Sequence, residues 1–273
     1  MPELPEVETV KRAISPVLTG QSIKFVRLTR SDLRWPLPNA MAAHLTGQRC
    51  GEPRRRAKYI MVPLEDDTAL LVHLGMSGAI RLHDSKPEFA AHDHFSLEME
   101  TGMWMVYSDP RRFGHLDIIP AGGEAEHPLL SHLGIEPLSN HLSGPWLSEV
   151  LEGKKTPIKS ALLDQRLIAG LGNIYVNEAL HMSGISPRRR AQTITGKRAE
   201  KLVIAIRTVL AAAIEAGGTS LRDHVQPGGE IGYFVQRLLV YGRTSEPCLN
   251  CATPIKELRQ SGRASFYCPS CQR

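Results

Sequence analysis

The sequence predicts an α+β protein in which a helix, a β-sandwich or barrel, a helical region and a small cysteine-bearing module follow one another along 273 residues. Apolar residues recur at three- and four-residue intervals over 5–18 and 197–216, which is typical of amphipathic helices. Short apolar or alternating segments lie between residues 23 and 119 and indicate strands. Four of the five cysteines follow residue 247. The length suffices for about two domains that each bury a core.

The first helix begins at the start of the chain, which reads Met1-Pro2-Glu3-Leu4-Pro5-Glu6. Removal of Met1, which is usual before a small residue, would leave the secondary amine of Pro2 as the N-terminus, with the Glu3 carboxylate beside it. An α-amino group has a pKa of about 7.7–8.0, against about 10.4 for lysine, so far more of it is neutral and nucleophilic near pH 7.5. The pattern predicts imine chemistry, and a mere processing site on a frayed terminus is the open alternative.

The predicted strands occupy the rest of the first half, and a helical region follows. The strand segments are 23–28, 59–64, 69–74, 95–100, 104–107 and 116–119, with a hairpin turn at Thr101-Gly102. Residues 158–182 are predicted as a helix, a glycine-rich interruption and a second helix, and Gly217-Gly218 ends the long helix. A change in composition near 133–140 marks a boundary. We therefore predict domains at 1–133, 134–235 and 236–273.

Composition limits the class of partner. A net charge of +5 and a pI near 9.0 favour a polyanionic partner, and a plain basic enzyme is also compatible with them. No apolar run approaches the roughly 20 residues of a membrane span, and the acidic start is unlike a signal peptide. We expect a cytosolic protein that has no membrane partner. In such a reducing compartment Cys50 is interpreted as a structural thiol.

The strongest local motif is a pair of C-x-x-C sequences separated by sixteen residues. Its four cysteines are Cys248, Cys251, Cys268 and Cys271. Two such pairs suit a tetrahedral Cys₄ zinc site, and paired disulfides or a redox site are the alternative. Because the protein fills all four positions, the zinc would be structural. The loop between the pairs carries Lys256, Arg259 and Arg263, which is compatible with a nucleic-acid contact or with a simple folding staple.

Several turns carry basic, bulky or glycine residues. Basic clusters lie at 54–58, 111–112, 154–159 and 188–190, and they indicate either solvated faces or one positively charged cleft between the domains. Met76 and Phe113 lie in glycine-containing turns, where they would either wedge between stacked bases or fill the sandwich core. Spacing alone leaves both interpretations open. The glycine turn 170–175 runs into a helix and could hold a phosphate through its N–H groups and the Asn173 amide.

Together these motifs resemble the bacterial formamidopyrimidine-DNA glycosylase family over essentially the whole chain. The matching segments are Pro2 to Thr9, Arg56-Ala57-Lys58-Tyr59, His73 to Gly78, Asp109 to Gly114, Gly170 to Tyr175, Val240 to Arg243 and the Cys₄ module. Leu4 and the intact Arg111-Arg112-Phe113 turn favour this branch over the related endonuclease VIII pattern, which has glycine at the position of Leu4.

The resemblance implies an N-terminal β-sandwich bearing the terminal helix, a helix-two-turns-helix domain and a zinc finger, with DNA across a basic cleft. It implies that Pro2 attacks C1′ of an oxidised purine nucleotide, such as 8-oxoguanine or a formamidopyrimidine, and that β- and δ-elimination then nick the strand. Glu3 would donate the proton that opens the sugar ring, Lys58 would assist base loss and β-elimination, and Arg263 would assist δ-elimination. Glu6 would be a supporting group.

The resemblance also implies the DNA contacts and partners. Met76, Arg111 and Phe113 would fill the void left by the flipped base. The phosphate-contacting set would be His73, His92, Lys155, Asn173, Tyr241 and Arg263. Residues 217–233 would form a lid over the flipped base. The protein would hold one structural Zn²⁺, bind double-stranded DNA containing oxidised bases, and act as a monomer in the bacterial cytoplasm, associated with the nucleoid.

Two alternatives remain at the level of sequence. An endonuclease VIII-like enzyme would act on oxidised pyrimidines rather than purines. A non-catalytic zinc-ribbon DNA-binding protein would keep the same scaffold without forming an imine. Neither is excluded by composition or spacing.

Overall fold

The computed structural model describes residues 2–219 and 234–273, which fall into two compact units. Described residues 2–131, 216–219 and 234–235 belong to the first unit. The second unit contains His132–Glu215 and Gln236–Arg273. None of the helices within these ranges is both long and apolar enough to cross a bilayer.

The first unit is a β-sandwich with a helix at its N-terminus. Its helices are α1 (Leu4–Leu18) and α2 (Met41–Leu45), and its strands are β1 (Ile23–Leu28), β2 (Arg54–Arg56), β3 (Tyr59–Pro63), β4 (Ala69–His73), β5 (Ala79–His83), β6 (Asp93–Met99), β7 (Trp104–Ser108) and β8 (His115–Ile119). The strands form two four-stranded sheets, ordered β1-β6-β7-β5 and β2-β3-β4-β8, and every pairing in them is antiparallel.

Helix α1 folds onto the sandwich because one of its faces is apolar. Val7, Val10, Ile14 and Leu18 are buried in the same core as residues of both sheets. The hairpin between β6 and β7 turns at Thr101-Gly102, where Gly102 has φ +87°. A positive φ of this kind is readily adopted by glycine because it has no Cβ.

The second unit is helical and ends in a two-stranded hairpin. Its helices are α3 (Gly144–Val150), α4 (Ile158–Leu162), α5 (Asn173–Met182) and α6 (Lys197–Glu215), and its strands are β9 (Lys256–Gln260) and β10 (Arg263–Tyr267). Helix α6 packs against α3 and α5, and α5 also packs against β10. The hairpin pairs Arg263 with Gln260 and turns through Gly262, at φ +77°.

The observed elements confirm the predicted fold class of an N-terminal sandwich, a helical region and a terminal cysteine module. Four of the described strands lie outside the predicted segments: β2 and β5 in the sandwich, and β9 and β10 in the loop between the two C-x-x-C pairs. The domain boundaries after residues 133 and 235 stay predictions.

Candidate active site and zinc centre

Pro2 lies buried immediately before α1, and Glu3 is the N-cap residue of that helix. Glu3 and Glu6 form a capping box, in which the Glu3 backbone N–H donates to Oε2 of Glu6 at 2.8 Å. Both carboxylates are only 2% exposed. A capping box satisfies N–H groups that the first helical turn would otherwise leave without partners. The backbone that carries Pro2 and Glu3 is therefore held at the helix end.

The other oxygen of Glu6 binds a distant segment of the same unit. Oε1 accepts from the backbone N–H and from the hydroxyl of Thr219, each at 2.8 Å. Gly218 has φ +79°, and a Cβ there would lie 3.1 Å from the same oxygen. Glu6 thus joins the first turn of α1 to residues 218–219. Of the predicted lid at 217–233, the stretch 220–233 lies outside the described residues.

Lys58 sits in the turn between β2 and β3 and is 8% exposed. The turn is tied to α1 by Arg55, whose Nε lies 3.0 Å from the Glu8 carboxylate. Nη1 of Arg55 also donates to the carbonyl of Ala57 at 3.0 Å. Because Ala57 directly precedes Lys58, the Arg55–Glu8 ion pair fixes the backbone at Lys58 relative to the helix that carries Pro2.

His73 ends β4 and lies close enough to Lys58 for the two to interact electrostatically. Burial, followed by the charge of Lys58, lowers the pKa of His73 to about 4. The ring is therefore neutral at pH 7. Its Nδ1 accepts from the Gly75 backbone N–H at 3.1 Å, which leaves the ring proton on Nε2. His73 can thus offer an uncharged N–H donor to a ligand.

Asp109 joins the two glycine turns. The carboxylate is fully buried and accepts from the Ser77 hydroxyl at 2.6 Å and from the Gly114 N–H at 2.8 Å. Gly75, at φ +62°, packs so closely that a Cβ there would collide with the backbone of Phe113 and Gly114. The turns 74–78 and 109–114 therefore form one paired structure, which we call the twin turns.

The twin turns expose their bulky side chains. Met76 is 36% exposed and Phe113 is 41% exposed, so the interpretation that they fill the sandwich core is wrong. The Arg111 guanidinium lies 4.9 Å from the centre of the Phe113 ring, within cation–π distance. The side chain of His92 is exposed, and its carbonyl accepts from the Asp109 N–H at 3.0 Å. Four predicted DNA-contacting residues therefore lie in or beside the twin turns: Met76, His92, Arg111 and Phe113.

In the second unit, Arg263 is exposed at the start of β10, and the next residue is anchored from two helices. The Ala264 carbonyl accepts from Nζ of Lys159 at 2.6 Å and from Nδ2 of Asn173 at 3.1 Å. Lys159 was grouped with the surface cations at 154–159, yet it is fully buried and also donates to Ser265. Lys155 is exposed, as that grouping expected.

Two buried residues that sequence reasoning missed hold the rest of this region. Glu178, 1% exposed, accepts from the backbone N–H groups of 239, 240 and 241 at 2.7, 3.0 and 2.9 Å. It thereby fixes the backbone of Tyr241. Asn177 accepts from the Phe266 N–H at 2.8 Å. The sequence signal for this was the pair of adjacent polar residues within the otherwise apolar helix 173–182. Polar groups in such a helix are buried only when they have hydrogen-bond partners, so the pair indicated partners elsewhere in the chain.

The four predicted zinc ligands converge. Their sulfur atoms all lie within 4.8 Å of one another, and the closest pairs are 3.4 Å (Cys251–Cys271) and 3.5 Å (Cys251–Cys268) apart. Tetrahedral zinc with Zn–S bonds of about 2.3 Å requires sulfurs about 3.8 Å apart. Four thiols at these separations, with all the cysteines free, fit one structural zinc. The alternative of two disulfides is not observed.

Comparison with known proteins gives a consistent result over nearly all of the chain. Residues 1–116 match the formamidopyrimidine-DNA glycosylase N-terminal domain, and 133–225 match the formamidopyrimidine-DNA glycosylase H2TH domain. Residues 245–273 match the zinc finger found in FPG and IleRS.

Individual relatives agree along their full length. The chain is 51% identical over 288 residues to a formamidopyrimidine-DNA glycosylase of Beijerinckia indica, and 50% identical over 283 residues to one of Cereibacter sphaeroides. Each alignment covers 100% of both chains.

Solved structures show the same similarity. A Lactococcus lactis FPG mutant bound to Fapy-dG-containing DNA has a TM-score of 0.92 at 32% identity, covering 100% of both chains. A MutM complex with DNA containing carbocyclic 8-oxo-G gives 0.91 at 33% identity, also with 100% coverage of both. The MutM (FPG) protein of Thermus thermophilus gives 0.89 at 41% identity, covering 99% of this chain and 98% of that one.

Proposed function

The chain belongs to the formamidopyrimidine-DNA glycosylase family, and from this premise we propose which of its residues carry out each step of the reaction. The protein is a base-excision repair enzyme for oxidised purines, both a DNA glycosylase and an AP lyase. The assignment of residues rests on the buried junction at Glu6. It holds the backbone of Pro2 and Glu3 through one oxygen and residues 218–219 through the other.

Pro2, freed of Met1, is the nucleophile. Its neutral amine forms a bond to C1′ while the C1′–base bond breaks, and the base leaves with the bonding electrons and takes up the proton that the attacking nitrogen loses. Glu3 then protonates the ring oxygen, and the C1′–O bond breaks to give an iminium ion. The iminium acidifies the C2′ proton, so β-elimination releases the 3′ phosphate. A δ-elimination then releases the 5′ phosphate. This sequence needs no redox cofactor, because the iminium ion that the amine forms is the electron sink.

Lys58 and Arg263 assist the proton transfers. Lys58 is buried in a turn braced against α1, which suits a group that must approach the same sugar as Pro2. Arg263 is exposed, and its strand is fixed at Ala264 by Lys159 and Asn173. We assign Lys58 to base loss and β-elimination, and Arg263 to δ-elimination.

The twin turns fill the void that a flipped base leaves. Flipping costs a few kcal/mol, and an exposed apolar wedge offsets part of that cost by occupying the vacated stack. Met76 and Phe113 have the required exposure, and Arg111 lies against the Phe113 ring, where its guanidinium can face the orphaned cytosine.

The remaining predicted contacts hold the phosphate backbone. They are His73, His92, Lys155, Asn173, Tyr241 and Arg263. Two of them are oriented by hydrogen bonds within the protein. The Gly75 N–H donates to Nδ1 of His73, which leaves Nε2–H as the donor for a phosphate. Glu178 accepts from the backbone N–H of Tyr241 and fixes the backbone there. Phosphate contacts supply affinity and register without choosing the lesion.

We further propose that the enzyme acts as a monomer, in the bacterial cytoplasm at the nucleoid.

Paired substrates test this function. Duplexes that are identical except for one 8-oxoguanine or one thymine glycol are incubated with the enzyme, and the cleaved fraction and its ends are measured. We expect faster cleavage of the 8-oxoguanine duplex and phosphate at both ends of the gap, as β- and δ-elimination require. A Glu3→Gln variant should lose base excision yet retain binding. Clear preference for thymine glycol would instead identify an endonuclease VIII-like enzyme.

A further inference from the structure

Helix α5 uses one face to hold the zinc module. Asn177, Glu178 and His181 are spaced at i, i+1 and i+4, so they project from neighbouring positions of the helix surface. Asn177 binds the backbone of β10, and Glu178 binds the backbone of residues 239–241. His181 differs from both, because its Nε2 lies 3.6 Å from Sγ of Cys248, one of the four zinc ligands.

The surroundings of His181 assign its ring proton. The side chain is 3% exposed, and within the described part of the chain its Nδ1 is buried without a hydrogen-bond partner. A zinc-bound thiolate has no proton, so its sulfur can only accept a hydrogen bond. Nε2 must therefore carry the proton that lies between the ring and Cys248. A buried Nδ1 without a partner destabilises the fold, and a purely apolar ring of similar size would not have this defect.

We propose that His181 is a positioning residue of the zinc centre, and that its Nε2–H donates a hydrogen bond to the Cys248 thiolate. The hydrogen bond withdraws charge from the sulfur and fixes its direction relative to α5. Hydrogen bonds from outside the ligand set orient metal ligands and tune their donor strength. The zinc module is thus connected to α5 by a contact at the metal ligand as well as by the two backbone contacts.

Two variants separate this role from simple packing. His181→Phe keeps a ring of similar size and removes the N–H donor. His181→Gln keeps an N–H donor at a similar reach and removes the ring. If His181 only fills space, His181→Phe should resemble the wild type more closely than His181→Gln does.

The test uses full-length protein in which Co²⁺ replaces Zn²⁺, so that the sulfur-to-metal charge-transfer band reports the charge on the thiolates. We expect this band to move to longer wavelength in His181→Phe and to stay near the wild-type position in His181→Gln. The visible bands of tetrahedral Co²⁺ verify that four thiolates still bind. We also expect His181→Phe, loaded with Zn²⁺, to transfer the metal to a chromogenic chelator about tenfold faster.

Two results would overturn the proposal. One is a folded His181→Phe protein whose band position and zinc-transfer rate equal those of the wild type. The other is an equal shift in both variants, which would assign the effect to packing. If His181→Phe does not fold, His181→Met replaces it, because a flexible apolar side chain also lacks the donor and tolerates irregular space; the same two results would then overturn the proposal.

Discussion

Glu6 accepts hydrogen bonds from Glu3, three residues away, and from Thr219, 213 residues away. Sequence reasoning identified Glu6 only as a supporting group near the Pro2 amine. The capping box with Glu3 was only partly accessible from the sequence, because an acid three positions later fits the motif but glutamate is not a usual N-cap residue. The contact with Thr219 was not accessible, because no local pattern encodes a partner so far along the chain.

The two oxygens of Glu6 make its replacement by glutamine informative. In Glu6→Gln an NH₂ group must face either the Glu3 N–H or the Thr219 N–H, which leaves a buried donor unpaired at a cost of about 1–3 kcal/mol. We expect a lower midpoint of unfolding and slower base excision, with a smaller effect on DNA binding. Glu65→Gln, in an exposed turn, is the matched control. Wild-type excision by a Glu6→Gln protein would show that the junction does not position the nucleophile.

The low pKa of His73 predicts how stability depends on pH. The pKa of His73 is about 4 in the folded state, against an ordinary value of 6.5. Between pH 6.5 and pH 4, His73 therefore binds a proton in the unfolded chain but not in the folded chain. Stability contributed by His73 is therefore complete above pH 6.5 and is lost as the pH falls towards 4. The groups that set this pKa besides burial are Lys58, His115, Arg34 and Asp109.

Urea unfolding of the wild type and His73→Gln at pH 7.5 and pH 4.5 measures this contribution. We expect the wild type to lose about 1–3 kcal/mol more than the variant over that interval. Equal losses in the two proteins would mean that His73 titrates normally in the folded state.

Within the sandwich, hydrophobic alternation predicted six strands to within two residues, and it failed for two edge strands. Strand β2 reads Arg54-Arg55-Arg56 and has no apolar residue to give a signal. Strand β5 (Ala79–His83) follows directly on the glycine turn 74–78, whose composition indicated a loop. Both strands lie at the ends of their sheets, where one neighbour suffices and burial is partial.

The twin turns act as one element because Asp109 binds both. Asp109→Ala would leave the Ser77 hydroxyl and the Gly114 N–H without their buried acceptor, at a cost of about 2–3 kcal/mol. We expect the variant to excise 8-oxoguanine far more slowly, since Met76, Arg111 and Phe113 lose their fixed placement. Nicking of a preformed abasic site should suffer less, because no base has to be flipped.

The measured quantity is the ratio of these two rates, and Asp84→Ala in an exposed loop is the control. A proportional loss of both activities in Asp109→Ala would place its role in general stability rather than in base flipping.

Over the whole DNA-binding surface, cationic and neutral contacts should differ in their dependence on salt. Lys155 is exposed and charged, so Lys155→Ala should reduce the slope of log K against log salt by about 1. His73 is neutral above pH 6.5, so His73→Gln should weaken binding at pH 7.5 without changing the slope. Fluorescence anisotropy with a lesion duplex at several salt concentrations gives both values. An unchanged slope in Lys155→Ala would remove that residue from the phosphate contacts.

The zinc ligands were predictable in full because C-x-x-C spacing is local and its chemistry is specific. The buried network of Lys159, Asn177 and Glu178 was not predictable in that way. Lys159 lies near exposed cations in the sequence and so resembles a surface residue. Only the structure shows that the Ala264 carbonyl and the Ser265 hydroxyl accept its hydrogen bonds. Burial of a charge is decided by tertiary partners, which the local sequence does not show.

Borohydride trapping of a covalent complex decides whether the Pro2 amine performs the chemistry. Two proteins are compared, one processed to begin at Pro2 and one with an additional residue before Pro2, and binding to the same 8-oxoguanine duplex is measured in parallel. We expect a reduced covalent complex with the first protein and none with the second, while their affinities stay within a few-fold. Equal trapping by both proteins, or no trapping by the processed one, would mean that the Pro2 amine is not the nucleophile.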